Sequence, residues 1–297
     1  MPRNLRRLIS MRLTPEIRNL IRKSLREDLG SGDVTTRFLI SPKLKGGGII
    51  LAKQSGILAG QVVVDEVFRQ IDSKIICQWK RRDGSRCRKG DVVARLKGPV
   101  ASIVKAERTA LNFLSHLSGI ATLTNQFVKE IRGTNAKILD TRKTMPLWRT
   151  LQKYAVRMGG GVNHRTGLWD QGLIKDNHWA FVKDARIIAK VIHRHPKYRW
   201  IVEITKSNLK HISSVLAAKP SVILFDNFKP GELVKAIKTI KICSKKFRAH
   251  PLIEVSGGIH LGNVRSFAKV GVHRISIGAL THSVPAFDFS LEITKVD

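Results

Sequence analysis

Six short apolar runs recur between residues 136 and 278: AKILD, GLIKD, RWIVEI, VILFD, LIEVS and RISIG. Between them lie stretches of helical spacing at 146–158, 180–193, 207–218, 230–242 and 261–270. Strands alternating with helices in this way predict parallel βαβ units. Six such strands can close into an α/β barrel or lie in an open doubly wound sheet. The polar residues favour the barrel. Asp140, Lys175, Thr205, Asp226, Ser256 and Gly278 each fall at or just after the C-terminal end of a run. In α/β barrels that rim carries the chemistry, and every strand contributes to it; a doubly wound sheet would concentrate its functional groups at one switch point.

The N-terminal third has a different pattern. Residues 14–28 (TPEIRNLIRKSLRED) predict a helix, and GGIILAKQSGILAG, SKIICQWK and DVVARLKGPVAS read as strands separated by the turn signals KGGG, RRDGS and RKGD. These pieces predict a small α+β domain on an antiparallel sheet. Residues 104–131 keep helical spacing without a proline, which predicts one or two long connecting helices.

Composition narrows the classes. With 42% apolar residues over 297 positions the chain can bury a substantial core. No apolar run approaches the roughly 18 residues of a membrane span. Cys77, Cys87 and Cys243 are odd in number and lack C-x-x-C spacing, which argues against a disulfide framework or structural zinc and fits a reducing cytosol. The first dozen residues carry four arginines and no acid, and they predict a basic helical lead-in more than a targeting peptide. Lys and Arg number 54 against 22 acids, a formal charge of +32. Such an excess suits polyanionic partners. It is spread along the chain with few aromatics, so it predicts at most salt-sensitive, sequence-independent nucleic-acid binding.

The window GGGVNHRTGLWDQGLIKDNH (159–178) sets an imidazole, a guanidinium and an ammonium close to flexible backbone. LDTRKT adds Arg142 and Lys143 after the first barrel strand, GVNHR brings His164 and Arg165, and LIKDNH ends the second strand with Lys175. Cations converging on one rim need an anionic ligand to offset their repulsion. SGG (256–258) and IGA (277–279) follow the last two strands, where barrels commonly hold a phosphate on close-approaching backbone N–H groups. Glu203 and Asp226 supply carboxylates suited to sugar hydroxyls or a divalent cation. The rim as a whole predicts a sugar-phosphate substrate and a second anionic reactant. A nucleic-acid-binding protein would use the charge directly but needs a recognition motif absent here. A Schiff-base aldolase would use Lys175 as nucleophile but has no need of the GGGVNHR cluster.

The stretches LREDLGSGDVTT, GILAG, ERTALNFLSHLSGIAT, LDTRKT, KYAVRMGGGVNHRTGL, LIKDNH, LFDN, EVSGGI and ISIGALTHSVPAFDFSL together resemble quinolinate phosphoribosyltransferase, the carboxylating nicotinate-nucleotide pyrophosphorylase family, from about residue 14 to 293. The resemblance implies an incomplete six-stranded parallel α/β barrel at 119–282. It also implies an N-terminal α+β sandwich domain at 1–118, completed by 283–297. Its implied activity joins quinolinate to phosphoribosyl pyrophosphate (PRPP) with loss of pyrophosphate and CO2, in NAD biosynthesis. Mg2+ would assist, in a cytoplasmic homodimer, or a higher oligomer, whose sites are shared between subunits.

By motif, Arg142, His164, Arg165 and Lys175 would bind the quinolinate carboxylates, with Thr141 a further substrate-binding residue and Arg108 reaching in from the other subunit. Lys143 would stand near the phosphates or the departing carboxylate; it and Lys175 are the expected catalytic groups. Asp226 would hold ribose hydroxyls or the metal. Ser256, Gly257, Gly258, Ile277, Gly278, Ala279 and His282 would cradle the 5′-phosphate. Two departures stand out. Glu203-Ile204-Thr205 replaces the family's E-V-E, so Thr205 is expected at the ribose without its carboxylate, and Leu147 replaces a glycine in Met145-Pro146-Leu147-Trp148-Arg149. The alternative is a paralogous phosphoribosyltransferase, like the molybdenum-operon relative, acting on another anionic aromatic acid, or a weakened paralogue.

Overall fold

The computed structural model describes residues 11–182 and 184–296, so the expected basic lead-in lies almost entirely outside the described residues. They divide into two compact units. One comprises the residues up to Asn125, Met145–Gly160 and the chain from Ser283 on; the other comprises Gln126–Thr144 and Gly161–His282.

The first unit opens with α1 (Pro15–Leu29), α2 (Val34–Leu39), β1 (Lys45–Ala52) and β2 (Gly56–Ile57). It continues through α3 (Gln61–Ile71), β3 (Ile76–Trp79), β4 (Arg86–Cys87), β5 (Val92–Pro99) and α4 (Val100–Glu130), whose last residues enter the second unit. Thr14 caps α1 through a bond from the Ile17 N–H, Pro15 supplies the preset first turn, and Ile17, Ile21 and Leu25 form its buried stripe. The sequence pattern did not distinguish α3. It packs against α1, and a buried Glu66 joins them, taking Arg69 Nη2 at 2.6 Å and Arg18 Nη1 at 3.3 Å. α4 is one continuous helix of 31 residues.

The second unit carries β6 (Lys137–Leu139), followed along the chain by α5 (Arg149–Met158), which groups with the first unit. Then come β7 (Gly172–Ile174), α6 (Asp176–Trp179), α7 (Ala185–Arg194), β8 (Trp200–Ile204), α8 (Ile212–Ala217) and β9 (Val222–Asp226). α9 (Pro230–Phe247), β10 (Leu252–Ser256), α10 (Val264–Lys269), β11 (Arg274–Ser276) and α11 (Ala279–His282) complete it. The last strand, β12 (Phe289–Val296), returns to the first unit and pairs antiparallel with β1 in a sheet ordered β12-β1-β5-β3.

The six apolar runs are the six strands of one parallel sheet, ordered β6-β11-β10-β9-β8-β7. The first strand pairs with the last, so the sheet rolls into an α/β barrel that stays open between β6 and β7. On the open side Val162 bridges Leu139, its N–H donating to the Ile138 carbonyl at 2.8 Å. Inside the barrel Ile201, Val222 and Leu224 form a buried cluster with Leu173 and Leu252 against it. This apolar plug fills the lower barrel and leaves the C-terminal rim for polar side chains. No helix of the described residues is long and apolar enough to cross a membrane. Cys77, Cys87 and Cys243 are free thiols.

Leu147 has a positive φ of 65° and is 82% exposed. Its neighbours fix the turn. Trp148 stacks on Phe113 at 4.7 Å between ring centres, and the Met145 N–H donates to Gln152 Oε1 at 2.9 Å. A left-handed leucine costs roughly 1–2 kcal/mol, and glycine's larger unfolded-state entropy offsets only part of that. Leu147→Gly should therefore raise stability by about 0.5–1 kcal/mol in urea unfolding. A loss of stability would show that the leucine side chain contributes contacts that outweigh the strain.

Candidate active site

The rim of the barrel surrounds a cavity of about 760 Å3. Its lining follows the order of the strands. After β6 come Thr141, Arg142 and Lys143; after β11, Ile277, Gly278, Ala279 and His282; after β10, Ser256, Gly257 and Gly258. β9 contributes Asp226, β8 Glu203 and β7 Lys175, and His164 and Arg165 come from the connection between β6 and β7. The cations thus form an arc across the barrel's opening. The glycines form a second arc on β10 and β11, and the acids occupy β8 and β9. Lys143 stands at the join of the first two, since a Cβ on Gly278 would lie 3.0 Å from Lys143 Cδ and from His282 Nε2.

The cationic arc is held by buried carboxylates. Asp140 and Glu254 each have 0% exposure. Asp140 accepts the backbone N–H of His164 at 2.8 Å and the side-chain amide of Asn163. Glu254 Oε1 lies 3.1 Å from His164 Nε2, and its Oε2 lies 2.7 Å from Arg274 Nε. Neither Glu254 contact is aligned as a hydrogen bond; the Arg274 charge attracts the carboxylate without alignment. Burial alone would push the Glu254 carboxyl up, but the facing His164 and the Arg274 charge hold it below the usual range. The Arg165 N–H donates to His164 Nδ1 at 2.7 Å, and its Nη1 donates to the Gln171 carbonyl at 3.1 Å.

The remaining charges are in tension. Burial and the neighbouring Arg142 lower the Arg165 guanidinium's pKa, with Asp170 opposing. Burial and the Asp226 carboxylate raise Glu203, with Lys175 opposing. Asp226 is itself engaged, accepting the Ser256 hydroxyl at 2.7 Å and the Asn227 side-chain amide at 2.8 Å. Gly257 has φ 89°, and a Cβ there would lie 2.1 Å from Asn227 Oδ1, so this turn requires glycine. An anion among the cations and a cation among the acids would each relieve an existing repulsion.

The structure thus gathers Thr141, Arg142, Lys143, His164, Arg165, Lys175, Asp226, Ser256, Gly257, Gly258, Ile277, Gly278, Ala279 and His282 around one cavity. Thr205 is not among the lining residues. β8 ends at Ile204, so the strand alternation expected to aim Thr205 at the ribose stops one residue short. The Thr205 N–H instead donates to Asn208 Oδ1 at 2.8 Å, and its hydroxyl lies 2.8 Å from Ser207 Oγ. Glu203 is the strand's carboxylate in the cavity. Arg108 is exposed on α4 and does not line the cavity. Sequence reasoning had not singled out Asp176, Asn227, His260 or Ser276 in the lining, nor the buried Glu254 beneath it. The acid inside the apolar run LIEVS was the available signal for Glu254.

Residues 33–118 match the N-terminal domain, and 120–292 the C-terminal domain, described as those of quinolinate phosphoribosyl transferase. The chain belongs to the quinolinate phosphoribosyltransferase family. It is 41% identical to a Methanocaldococcus jannaschii protein named probable nicotinate-nucleotide pyrophosphorylase (carboxylating), over 93% of this chain and 96% of that one. It is 38% identical to the nicotinate-nucleotide pyrophosphorylase (carboxylating) of Mycobacterium leprae, over 93% and 96%. The crystal structure of NadC from Streptococcus pyogenes superposes with a TM-score of 0.89 at 36% identity, covering 97% of this chain and 100% of that one.

The raised Glu203 fixes the sign of one pH dependence. The folded chain holds this proton more tightly than the unfolded chain, so ionisation above the ordinary value of 4.5 costs folded-state stability. In ligand-free protein the stability of wild type relative to Glu203→Gln should be constant well below pH 4.5 and fall as the pH rises through the raised value. Urea titrations across that range check it; a relative stability that rises with pH would contradict the assignment.

Proposed function

We propose that this chain transfers the phosphoribosyl group of PRPP to quinolinate with loss of CO2, giving nicotinate mononucleotide and pyrophosphate in pyridine-nucleotide synthesis. The observation that carries the reading is a barrel cavity in which a cationic arc, a glycine-rich arc and two carboxylates share one rim. Family membership and the names of the relatives support the same chemistry.

Arg142, His164, Arg165 and Lys175 are assigned to the quinolinate carboxylates, so the dicarboxylate relieves the repulsion among them. The backbone of Ser256–Gly258 and Ile277–Ala279, with Lys143 and His282, is assigned to the 5′-phosphate. Asp226 and Glu203 then meet the ribose. The pyridine nitrogen attacks the anomeric carbon as its bond to pyrophosphate breaks. Fixed charges and positioning supply the acceleration, since the transition state spreads positive charge on the sugar and negative charge on the leaving group. The C–COO− bond then breaks, CO2 departs, and the electron pair stays on the ring carbon, where the positive charge of the adjacent quaternary nitrogen stabilises it. Lys143 and Lys175 stabilise that carbon and bring its proton.

The acids fit a cation that arrives with substrate. Among the described residues no cluster of three or more metal-ligating side chains forms a cage, and Mg2+ commonly binds through one or two carboxylates plus phosphate oxygens. Glu203 and Asp226 are the residues that would hold it, and when bound it would offset the charge growing on pyrophosphate. We assign Arg108 to the site of a second subunit, in a cytoplasmic homodimer.

PRPP-dependent release of CO2 from carboxyl-labelled quinolinate tests the function directly. PRPP consumption with another aromatic acid and none with quinolinate would favour the paralogous enzyme. Arg165→Ala and Lys175→Ala should each weaken quinolinate use by about 1.5–3 kcal/mol, roughly ten- to a hundred-fold, with folding retained. Mixed Arg108→Ala and Lys175→Ala chains should recover activity in hybrid dimers; no recovery after verified exchange would remove the shared site.

A further inference from the structure

Glu254 has no place in the chemistry just assigned, yet it is a fully buried carboxylate directly below the cationic arc. A charge taken out of water costs several kcal/mol unless partners compensate it. Arg274, its register neighbour on β11, would suffice as a counter-ion. The second Glu254 oxygen turns instead to His164 Nε2 at 3.1 Å. His164 Nδ1 in turn accepts the Arg165 N–H at 2.7 Å, which leaves the ring proton on Nε2, facing Glu254. Both ring nitrogens therefore meet protein groups. The contacts run from β10 through the imidazole to the backbone of the most deeply placed arginine.

The connection carrying these residues crosses the open side of the barrel, where β6 and β7 do not pair with one another among the described residues. Val162 ties it to β6, Asp140 holds the His164 N–H from one side, and Glu254 faces the imidazole from below.

We propose that Glu254 is a positioning residue for the anion-binding loop: acting through the His164 imidazole, its carboxylate sets where Arg165 stands. The proposal rests on the proposed function only in taking Arg165 as a ligand of the quinolinate carboxylates. It makes His164 a fixed link between Glu254 and Arg165, its tautomer held jointly by the Arg165 N–H at Nδ1 and the Glu254 carboxylate facing Nε2.

Glu254→Leu combined with Arg274→Met removes the buried pair together and leaves no lone charge in the barrel. Glu254→Gln is the conservative partner, since it keeps a side-chain oxygen facing Nε2–H. Calorimetric titration with quinolinate and with PRPP, and 15N spectra of the histidine rings, read the outcome. The Leu/Met variant should weaken quinolinate binding at least ten-fold while PRPP binding stays within two-fold. His164 should lose its Nε2–H signature in that variant and keep it in Glu254→Gln. Adding Arg165→Ala to the Leu/Met variant should cause little further loss. An unchanged His164 tautomer in the Leu/Met variant, or a full additional loss on removing Arg165, would overturn the proposal. If wild type fails to bind quinolinate, the functional reading falls, while the imidazole spectra still decide the role of Glu254.

Discussion

Asp140 stands at the end of the first barrel strand with no exposed surface, and the cationic rim hangs on it. It takes the His164 N–H and the Asn163 amide, fastening the connection that crosses the barrel's opening. Without such a fastening, Arg142, Lys143, Arg165 and Lys175 would repel one another toward solvent. A buried carboxylate bonded to backbone is well suited to this task, because it resists displacement and brings negative charge under the cations. The incomplete closure between β6 and β7 is what makes room for the loop at all.

The same economy of charge runs around the rim. Arg165 is held against its neighbours' repulsion, and Glu203 against that of Asp226. A dicarboxylate would settle the first conflict and a phosphate-borne cation the second. Each ligand would relieve a repulsion that burial sharpens on its own side of the rim. A buried apolar cluster lies below, which limits how far charges can be screened by water.

Much of this was legible in the chain. Parallel strands buried on both faces read as unbroken apolar runs, so AKILD through RISIG located all six, and their last residues located the rim. The helix Gln61–Ile71 was not legible, because QVVVDEVFRQI is rich in β-branched residues and its helical state depends on packing against α1. Thr205 was misplaced because alternation was extended beyond the strand, where Asn208 captures the backbone. Glu254 was hidden by its strand: one acid in an apolar run gives no sign of which way it points or which residues of other segments it meets. The left-handed turn at Leu147 could be suspected only from the glycine it replaces, and its fixation by Trp148 on Phe113 is a long-range contact.

The two halves of the rim are assigned to different substrates: the aromatic dicarboxylate to the opening of the barrel, the 5′-phosphate to β10 and β11. A crystal structure with benzene-1,2-dicarboxylate tests this most directly, since that ligand has quinolinate's adjacent carboxylates but no ring nitrogen to react. Under that assignment both carboxylates should lie within hydrogen-bond reach of Arg142, Arg165 and Lys175, with the backbone of Gly257, Gly258 and Gly278 left for phosphate. A dicarboxylate seated on those glycines, with the cationic arc unengaged, would contradict it.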